Sequence, residues 1–364
     1  MGNSDSHQDS NIIILGIETT CDETACAVVE NGKRVISSVV SSQVELHAPY
    51  GGVVPEIASR AHLEMINPVI SRAIDHARTV LQSRQDNSSE FHIDAIAVAN
   101  TPGLIGSLLV GLMAAKTLAW VWDIPLIGVN HLHAHAYAPA LDAEPIDYPA
   151  VALVASGGHT SLYLCRSCLD IELLGATIDD AAGEAFDKVS AILGLGYPGG
   201  PAIERAARQG RADKIRFPRT FLDENSLDFS FSGIKTAVLY YVNGTPGAIR
   251  SGVSKGIENL TEQDKADIAA CFQAAMVEMM VVKLRRAALA YKTKTLIIGG
   301  GVSANSALRE EVRKLGEEIG AKVRLPALQY AGDNAAMIAG MGYHYLQAGK
   351  IDDLQLDAVP TTRQ

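Results

Sequence analysis

Two segments of the chain follow one plan, and this repeat restricts the possible folds more than any other feature. They are IIILGIETTCDETACAVVENGKRVISS and PAVALVASGGHTSLYLCRSCLDIELLGAT. Each reads as an apolar strand, a turn of small and polar residues, a second apolar strand, a polar turn and a third strand. The repeat predicts an internal duplication. Turns rich in Thr, Ser and Gly also present hydroxyl and N–H groups that suit phosphate oxygens, although an ordinary hairpin turn is the alternative for either one.

Helical and strand-like patterns alternate after the first segment, which indicates an α/β architecture. The later part of GGVVPEIASRAHLEMINPVISRAIDHA has helical periodicity, whereas DAIAVAN and PLIGVN are strand-like. Between those two strands, a turn at Pro102 and Gly103 leads into a predicted buried helix. We therefore expect two similar α/β halves with a cleft between them.

The second half repeats the alternation. IDDAAGEAFDKVSAILGL predicts a helix ended by glycine, and Pro201 in GYPGGPAIERAARQG is expected at a first helical position. Thr261 and Asp264 form a capping-box variant at the start of a long helix. One stripe of that helix indicates core packing and not a cofactor site: Ile268, Phe272, Met276 and Met279. TLIIGGGVSAN and KVRLPALQY read as strands, and DNAAMIAGMGYHYLQAG as a closing helix.

Composition and targeting signals bound the class of protein. With 364 residues, 48% of them hydrophobic, the chain can bury a core for two domains. Apolar stretches such as 151–155 and 295–302 are too short to span a bilayer, so no membrane association is expected. Residues 1–11 are polar, with no basic or apolar region, and are predicted to be a disordered tail and not a signal peptide. We expect a cytoplasmic protein.

Cysteine usage agrees with a reducing compartment. The five cysteines are an odd number spread over a long chain, which argues against a disulfide framework. Cys165 and Cys168 form a CxxC, but no second CxxC or nearby His completes a zinc site. The pair reads as two ordinary thiols at the end of a hairpin.

The charge balance does not favour nucleic-acid binding by the whole protein. The formal net charge is −10, which excludes a generally basic surface but not an RNA substrate. Lys214, Arg216 and Arg219 are local basic positions, and a solvated basic loop is their simpler interpretation. A helper subunit would then supply much of the attraction for phosphates.

The spacing of His131 and His135 in NHLHAHAYAP is that of a metal-ligand pair. An α-helix of about 3.6 residues per turn places both imidazoles on one face. Two histidines rarely hold a metal alone, and Asp333 in QYAGDNAAM is the candidate third ligand. A pair of histidines on a solvated helix face is the alternative.

Three turns of small residues indicate a bound ligand in the second half. They are Ser156–Gly158, Gly199–Gly200 and Gly299–Gly301, and the last precedes Ser303 and Asn305 at a helix start. Such turns let a ligand approach the backbone closely. This sequence lacks both the Rossmann GxGxxG spacing and the P-loop Lys, so the indication depends on the repetition of the turns.

Two acids lie near these turns. Asp187 in EAFDK is of the residue type that accepts hydrogen bonds from ribose hydroxyls, and a solvent-facing helix carboxylate is the alternative. Glu204 would assist it, or would simply complement the dipole of the helix that it begins.

Taken together, eight motifs resemble the TsaD family, the tRNA adenosine threonylcarbamoyltransferases. They are GIETTCDETA, YGGVVPEIASRAH, NHLHAH, VASGGHTSL, IDDAAGEAFDKVSAILGLGYPGGP, FSFSGIKTA, GGGVSAN and GDNAAMIA, and they extend over about residues 12 to 360. The resemblance implies two duplicated ribonuclease-H-like domains of the superfamily of actin, sugar kinases and heat-shock chaperone ATPases. We assign them to residues 12–129 and 130–335, with a closing helix at about 336–360 packed back on the first.

The resemblance also implies the reaction. The threonylcarbamoyl group of threonylcarbamoyl-adenylate is transferred to N6 of adenosine 37 in tRNAs that read codons starting with A, and AMP is released. The expected partners are this adenylate, tRNA, a paralogous inactive subunit (TsaB-like) and a small ATPase (TsaE-like). The expected cofactor is one divalent metal, iron as Fe(II) or alternatively zinc.

Carried over by position, the metal ligands implied by the family are His131, His135 and Asp333. Its adenylate-binding positions are Val154, Ala155, Ser156, Gly157, Gly158, Asp187, Gly200 and Asn305, with Glu204 where only some members use an acid. For the general base we consider Asp22 and Glu23, because their turn should face the cleft.

Two other enzyme classes and a scaffold remain as alternatives. A metallopeptidase is suggested by the histidines, but Leu132 stands where a HExxH protease needs its glutamate. An ATP-dependent small-molecule kinase is suggested by the fold alone, which is a weak argument, and Mg²⁺ prefers oxygen ligands to imidazole. A non-catalytic scaffold would have little need for a metal triad and three glycine turns.

Overall fold

The computed structural model describes residues 11–83, 91–244 and 256–360. Most of the predicted tail at residues 1–11 lies outside these ranges. The first half contains β1 Ile13–Glu18, β2 Glu23–Glu30, β3 Arg34–Ser42, α1 Val44–His47, α2 Pro55–Gln82, β4 Ala95–Thr101, α3 Ile105–Trp122 and β5 Leu126–Asn130.

The second half begins with a short helix and then repeats the plan with longer insertions. Its elements are α4 His131–Tyr137, β6 Ala150–Ala155, β7 Thr160–Cys165, β8 Ile171–Ala176, α5 Ala182–Leu193, α6 Gly199–Ala207, α7 Ser232–Asn243, α8 Glu262–Ala290, β9 Thr295–Gly299, α9 Ser306–Ile319, β10 Lys322–Arg324 and α10 Ala335–Gln347.

The two sheets have the same topology, which confirms the predicted duplication. Their strand orders are β3-β2-β1-β4-β5 and, read in the matching direction, β8-β7-β6-β9-β10. In each sheet the first three strands pair antiparallel, and the fourth and fifth are added in parallel. The predicted domain boundaries at 12–129 and 130–335 stay predictions.

The central strands are buried on both faces because the sheets face each other across two helices. On β1, Ile13, Leu15 and Ile17 point to the core shared with α2 and α3, whereas Ile14 points to the opposite core. That second core lies between the sheets and holds α4 and α10. Because successive side chains of a strand point to opposite faces of the sheet, neighbouring residues of β1 belong to different cores.

Helix α10 packs on the first sheet although it follows the second in sequence. A Cβ atom on Gly16 of β1 would lie 2.2 Å from the carbonyl oxygen of Ala335, so only glycine permits this approach. The helix ends at Gln347, well short of the predicted span to 360. The chain beyond it returns to the first sheet, where the Val359 N–H donates to the carbonyl oxygen of Asn100.

Several local predictions are confirmed. Gly194 ends α5 in the left-handed conformation, and Thr261 and Asp264 form a reciprocal cap at the start of α8. The stripe on α8 is fully packed in the core: Ile268, Phe272, Met276 and Met279.

Three predictions are wrong in detail. Pro201 is the third residue of α6, because the helix already begins at Gly199. Of KVRLPALQY only Lys322–Arg324 is a strand, since proline at 326 cannot donate to a ladder. Helix α3 is only partly buried, with Met113 and Trp120 exposed by 56% and 72%. Within the described ranges it is the one helix long and apolar enough to span a membrane, and a single helix of this kind is a weak indication.

Candidate active site between the two sheets

Helix α4 starts where β5 ends, and its first turn carries the histidine pair. Asn130 caps the helix, because its Oδ1 atom accepts hydrogen bonds from the N–H groups of Leu132 and His133 at 2.9 and 3.2 Å. His131 and His135 then lie on one face, with ring centroids 4.5 Å apart. Both rings are buried, so the pair is not on a solvated helix face.

Asp333 reaches the same point from the turn before α10. Its Oδ1 atom lies 3.1 Å from Nε2 of His135 and 3.5 Å from Nε2 of His131. One ligand atom from each of the three residues falls within 4.8 Å of the others. The structure therefore brings together the three residues that the sequence singled out as a metal-binding set.

Glu18 at the end of β1 supports this cluster, and sequence analysis missed it. Its Oε2 atom lies 2.8 Å from Nδ1 of His131, and its Oε1 atom accepts the N–H of Thr20 at 2.6 Å. Because a carboxylate accepts, Nδ1 of His131 carries a proton, and Nε2 is the nitrogen that faces Asp333. The only sequence signal was an acid at the end of a buried strand.

The charges in the cluster agree with a metal site. Burial would lower the pKa of His131, but Glu18 and Asp333 raise it to about 9. Burial would raise the pKa of Asp333, but the two imidazoles hold it below its usual range. Nδ1 of His135 is buried and has no hydrogen-bond partner within the described residues. Two imidazoles and one carboxylate are a donor set that suits Fe(II) or Zn(II), so the residues fit the metal that sequence analysis expects.

The Cys21–Glu23 turn, between β1 and β2, lies beside Asp333. Burial raises the pKa of Glu23 far above its ordinary range, and the charges of Asp22 and Asp333 act in the same direction. A carboxyl group under these conditions is protonated at neutral pH, and it shares a hydrogen bond with Asp22. Both predicted bases, Asp22 and Glu23, therefore lie on one turn beside the cluster, and which of them acts stays a prediction.

Close backbone approaches bring the three glycine turns together. A Cβ atom on Gly300 would lie 2.3 Å from the carbonyl oxygen of Ala155, and one on Gly199 would lie 2.4 Å from Cα of Asp187. Gly183 makes the third approach, where a Cβ atom would lie 2.6 Å from the carbonyl oxygen of Ser156. The glycines in these contacts serve packing.

Four other glycines of the turns face open space. A Cβ atom on Gly157, Gly158, Gly200 or Gly301 would meet nothing within 4 Å. Packing therefore does not require glycine at these positions. The open positions are those where a ligand can approach the backbone, as the sequence predicted.

The polar residues predicted around the ligand have partners that fix them. Asp187 Oδ1 accepts the N–H of Gly199 at 2.7 Å, and burial raises the pKa of Asp187 to about 6. Glu204 accepts the hydroxyl of Ser306 at 2.5 Å, so it joins α6 to the start of α9. Asn305 caps α9 through the N–H of Leu308. These carboxylates hold the turns in place, and each keeps an oxygen for further bonds.

Val154 and Ala155 differ from the rest of the predicted ligand set. Both side chains are completely buried in the last two positions of β6, so only their backbone can face a ligand. Ser156 begins the turn, and its Oγ atom accepts the N–H of His159 at 3.2 Å.

Sequence analysis also missed His159 and Tyr197, whereas it named Ser303 beside the third glycine turn. Burial and the nearby His131 lower the pKa of His159 to about 4, which keeps this ring neutral beside the cluster. Burial and the charge of Asp22 raise the pKa of Tyr197 above its usual value, which places its phenol near the Cys21–Glu23 turn. The Ser303 hydroxyl has no hydrogen-bond partner in the described part of the chain. Each of them adjoins a motif that was recognised.

Two features singled out in the sequence lie apart from this cluster. Cys165 is buried and Cys168 half-buried as free thiols, and neither belongs to the metal-binding group found in the described ranges. Arg219 pairs with Glu278 at 2.9 Å, so one of the three local basic positions is already neutralised.

Comparison with known proteins identifies relatives over nearly the whole chain. The family profile of TsaD, described as tRNA N6-adenosine threonylcarbamoyltransferase, matches residues 34–340. Proteins of that name share 51% identity in Symbiobacterium thermophilum and 48% in Trichlorobacter lovleyi, in each case over 96% of this chain and 96% of the relative. The protein from Syntrophomonas wolfei shares 46% identity over 96% of this chain and 97% of its own length.

Solved structures with little sequence identity share the fold. Full-length HypF, solved in a phosphate- and nucleotide-bound form, has a TM-score of 0.56 at 13% identity and covers 94% of this chain and 57% of HypF. HypF from T. kodakarensis gives a TM-score of 0.54 at 15% identity, covering 93% of this chain and 48% of that one. The likeness supports the paired α/β halves and carries no information on the reaction.

Proposed function

This chain belongs to the TsaD family of tRNA N6-adenosine threonylcarbamoyltransferases, and on that premise we propose how its cleft performs the transfer. The enzyme forms threonylcarbamoyl-adenosine in tRNA, and neither the peptidase nor the kinase alternative is favoured by its relatives. The observation that carries the proposal is the convergence of the His131, His135 and Asp333 cluster with an acidic turn and the glycine turns. The acceptor is N6 of adenosine 37, and the donor is threonylcarbamoyl-adenylate.

The adenylate part of the donor binds along the open glycines. Gly157 and Gly158 leave open space where a side chain would stand, and we propose that their N–H groups bind the phosphate, as in other backbone anion sites. Asp187 keeps one carboxylate oxygen that the Gly199 N–H does not use, and this oxygen accepts from the ribose hydroxyls. Asn305 and Glu204 hold the wall of the site through the start of α9.

The metal is held by His131, His135 and Asp333. When bound, it supplies a Lewis acid that polarises the carbamoyl carbonyl and orients the acyl part of the donor. The donor set suits Fe(II), which we propose as the metal, with Zn(II) as the alternative. Glu18 holds Nδ1 of His131, so that Nε2 is the nitrogen directed to the site.

Asp22 accepts the proton that the acceptor loses. As N6 of adenosine forms its bond to the carbamoyl carbon, the bond from that carbon to the phosphate oxygen breaks, and AMP leaves with the bonding pair. The exocyclic amine is weakly nucleophilic until its proton is removed, and the Cys21–Glu23 turn carries Asp22, which we propose as the base. Glu23, held protonated by burial and its neighbours, donates a hydrogen bond to Asp22 and so fixes its orientation.

A paralogous subunit binds the outer face of α2 and α3. Leu109, Met113 and Trp120 are exposed there, and a groove of about 690 Å³ runs between the two helices. In the second half, α8, which lies between β8 and β9 as α2 lies between β3 and β4, packs against α6. In the first half, by contrast, the three apolar side chains of α3 stay exposed. Such an apolar face favours a subunit with a similar helical layer. Met113→Glu should abolish that association, which gel filtration with the paralogue would measure.

The remaining partners follow from the reaction and the family. We propose that the paralogous subunit supplies basic surface for tRNA, since this chain is acidic, and that a small ATPase acts with the pair. We also propose that the protein is cytoplasmic, because its tRNA substrates occur in the cytoplasm.

The test is mass spectrometry of nucleosides from tRNA of cells depleted of this protein. Wild type should restore threonylcarbamoyl-adenosine, and Asp333→Ala should not, because it loses a ligand without removing core volume. Asp353→Ala, at an exposed acid away from the cleft, is the control. An unchanged level of the nucleoside in depleted cells, or full restoration by Asp333→Ala, would contradict the proposal.

A further inference from the structure

The proposed mechanism uses the Cys21–Glu23 turn. Two buried side chains that have no part in that mechanism, His62 and Gln43, hold this turn in place. His62 lies on α2, is completely buried, and points its Nε2 atom at the carbonyl oxygen of Cys21, 3.0 Å away. A carbonyl can only accept, so Nε2 carries the proton. Nδ1 is then free to accept from the Thr24 hydroxyl, 2.8 Å away. The imidazole is neutral and in one tautomer. Its Nε2 atom is bonded to Cys21 in the turn, and its Nδ1 atom is bonded to Thr24, which follows the turn.

Gln43 holds the next carbonyl of the same turn. Its backbone N–H donates to the carbonyl oxygen of Asp22 at 3.0 Å. Its side-chain amide lies 3.3 Å from Nδ1 of His62, and its Oε1 atom lies 3.2 Å from Nε2 of His47. Gln43 is therefore fixed on both sides of its amide, and consecutive carbonyls of the turn are bonded to buried partners.

His47 anchors this chain of hydrogen bonds to the start of α2. Its Nδ1 atom accepts the N–H of Val54 at 3.2 Å, so its proton is on Nε2 and is donated to Gln43. All three side chains are buried, at 0% exposure for the histidines and 3% for Gln43. The motif YGGVVPEIASRAH thus ends on a histidine whose ring packs under the acidic turn.

The orientation of a peptide carbonyl sets the direction of the next side chain. The carbonyls of Cys21 and Asp22 are bonded to His62 on α2 and to Gln43 just after β3, which fixes the backbone that carries the carboxyl groups of Asp22 and Glu23. Ser42 adds one direct bond, from its hydroxyl to Oε1 of Glu23 at 3.2 Å. Misplacement of a reacting group by about 1 Å can cost about 100-fold in rate.

We propose that His62 and Gln43 are positioning residues that fix the Cys21–Glu23 turn for proton transfer. The inference rests on the proposed role of Asp22 as the base. In the described part of the chain His62 is bonded to Cys21, Thr24 and Gln43 and not to the proposed metal ligands, so its contribution acts through the carbonyl of Cys21.

The test compares two substitutions, each of which retains the hydrogen-bonding position of a different imidazole nitrogen. His62→Gln retains a donor at the position of Nε2, whereas His62→Asn retains only the position of Nδ1. His62→Asn should lower kcat by about 10- to 100-fold with KM for the adenylate unchanged, and His62→Gln should restore most of kcat. His76→Asn, on the exposed face of the same helix, is the matched control.

A second readout follows the turn itself. Cys21 is half-buried, and loosening of its carbonyl should speed its alkylation by iodoacetamide in His62→Asn but not in His62→Gln. Cys168, the other half-buried thiol, serves as the internal reference in the mass spectrum. Gln43→Met keeps the volume of the side chain and, like His62→Asn, should lower kcat and speed the alkylation of Cys21. The test therefore does not depend on the folding of a single variant.

Equal loss of kcat in His62→Gln and His62→Asn, or unchanged Cys21 alkylation in His62→Asn and Gln43→Met, would overturn the inference. Failure of the proposed base is distinguishable, because Asp22→Asn would then retain transfer while Cys21 alkylation still reports on the turn.

Discussion

The Nδ1 atom of His131 lies 2.8 Å from the Oε2 atom of Glu18, and both side chains are buried. Glu18 ends a strand of the first sheet, and His131 begins the helix that leads into the second half. This pair therefore joins the two halves at the point where the metal ligands meet. It also decides which imidazole nitrogen is available, because the carboxylate accepts the proton on Nδ1.

Replacing Glu18 should weaken metal binding without removing a ligand. Glu18→Gln keeps the shape of the side chain but loses the charge that raises the basicity of His131, and we expect metal affinity to fall by about 10- to 100-fold. Competition with a chelator of known affinity, using Zn(II) or Co(II), measures this directly. Glu172→Gln on β8 is the control, and equal affinities in both variants would exclude a role for Glu18.

Removal of the metal should stop transfer and leave the fold intact. The cluster is small compared with the three apolar cores, so a chelated enzyme should unfold cooperatively at nearly the same temperature. Activity should return on adding Fe(II) or Zn(II), and the ion that restores the higher kcat identifies the physiological metal more directly than affinity does. Full transfer by metal-free protein would contradict the proposed role of the cluster.

Binding of the adenylate should weaken as the pH falls through about 6, the pKa to which burial raises Asp187. Protonation removes the carboxylate charge that accepts from ribose, so affinity for AMP is full above that pH and declines below it. Calorimetric titration of AMP at several pH values tests this, and Asp187→Asn should remove the dependence. A pH-independent affinity in the wild type would show that Asp187 does not bind the ribose.

The raised pKa of Asp187 also predicts that the free energy of unfolding depends on pH. The folded pKa of Asp187 lies above its ordinary value of 3.8, so the fold favours the protonated form. Stability is then lost as the pH rises through about 6 and is fully present below 3.8. Asp187→Asn should therefore raise Tm near neutral pH and leave it unchanged in acid. Thermal unfolding of both proteins across this range measures the effect.

Gly16→Ala should destabilise the protein through α10. The added Cβ would lie 2.2 Å from the carbonyl oxygen of Ala335, so the helix must move off the sheet, at a cost of about 1–3 kcal/mol. Because Asp333 precedes this helix, metal affinity should fall with stability. Gly52→Ala, which adds a methyl group in open space, should change neither quantity in chemical denaturation or metal titration.

Much of the fold could be predicted because its patterns are local. The strands of both repeats, the cap at Thr261 and the glycine that ends α5 depend on neighbouring residues, and all are found where expected. The start of α6 and the extent of β10 were wrong because proline and glycine permit several turn geometries, among which tertiary packing decides. The exposed face of α3 was missed because apolar composition alone does not distinguish a core helix from a helix whose apolar face is exposed on the surface.

The candidate site was predictable in part for the same reason. His131 and His135 lie close in sequence, and Asp333 was found through its motif. Glu18 and His62 act through contacts between residues far apart in the chain, 113 residues for Glu18 to His131 and 41 for His62 to Cys21. Such pairs leave no periodic signal in a single sequence, and only the folded structure reveals them.

The position of α10 has a consequence for how each molecule becomes active. During synthesis, β1 leaves the ribosome early, but the helix that covers its inner face and the aspartate that completes the ligand set emerge only after the whole second sheet has been made. A nascent chain therefore presents two histidines without their carboxylate, beside a sheet that still lacks its cover. Chains that end before Asp333 therefore lack both the third member of the proposed ligand set and the helix that covers β1.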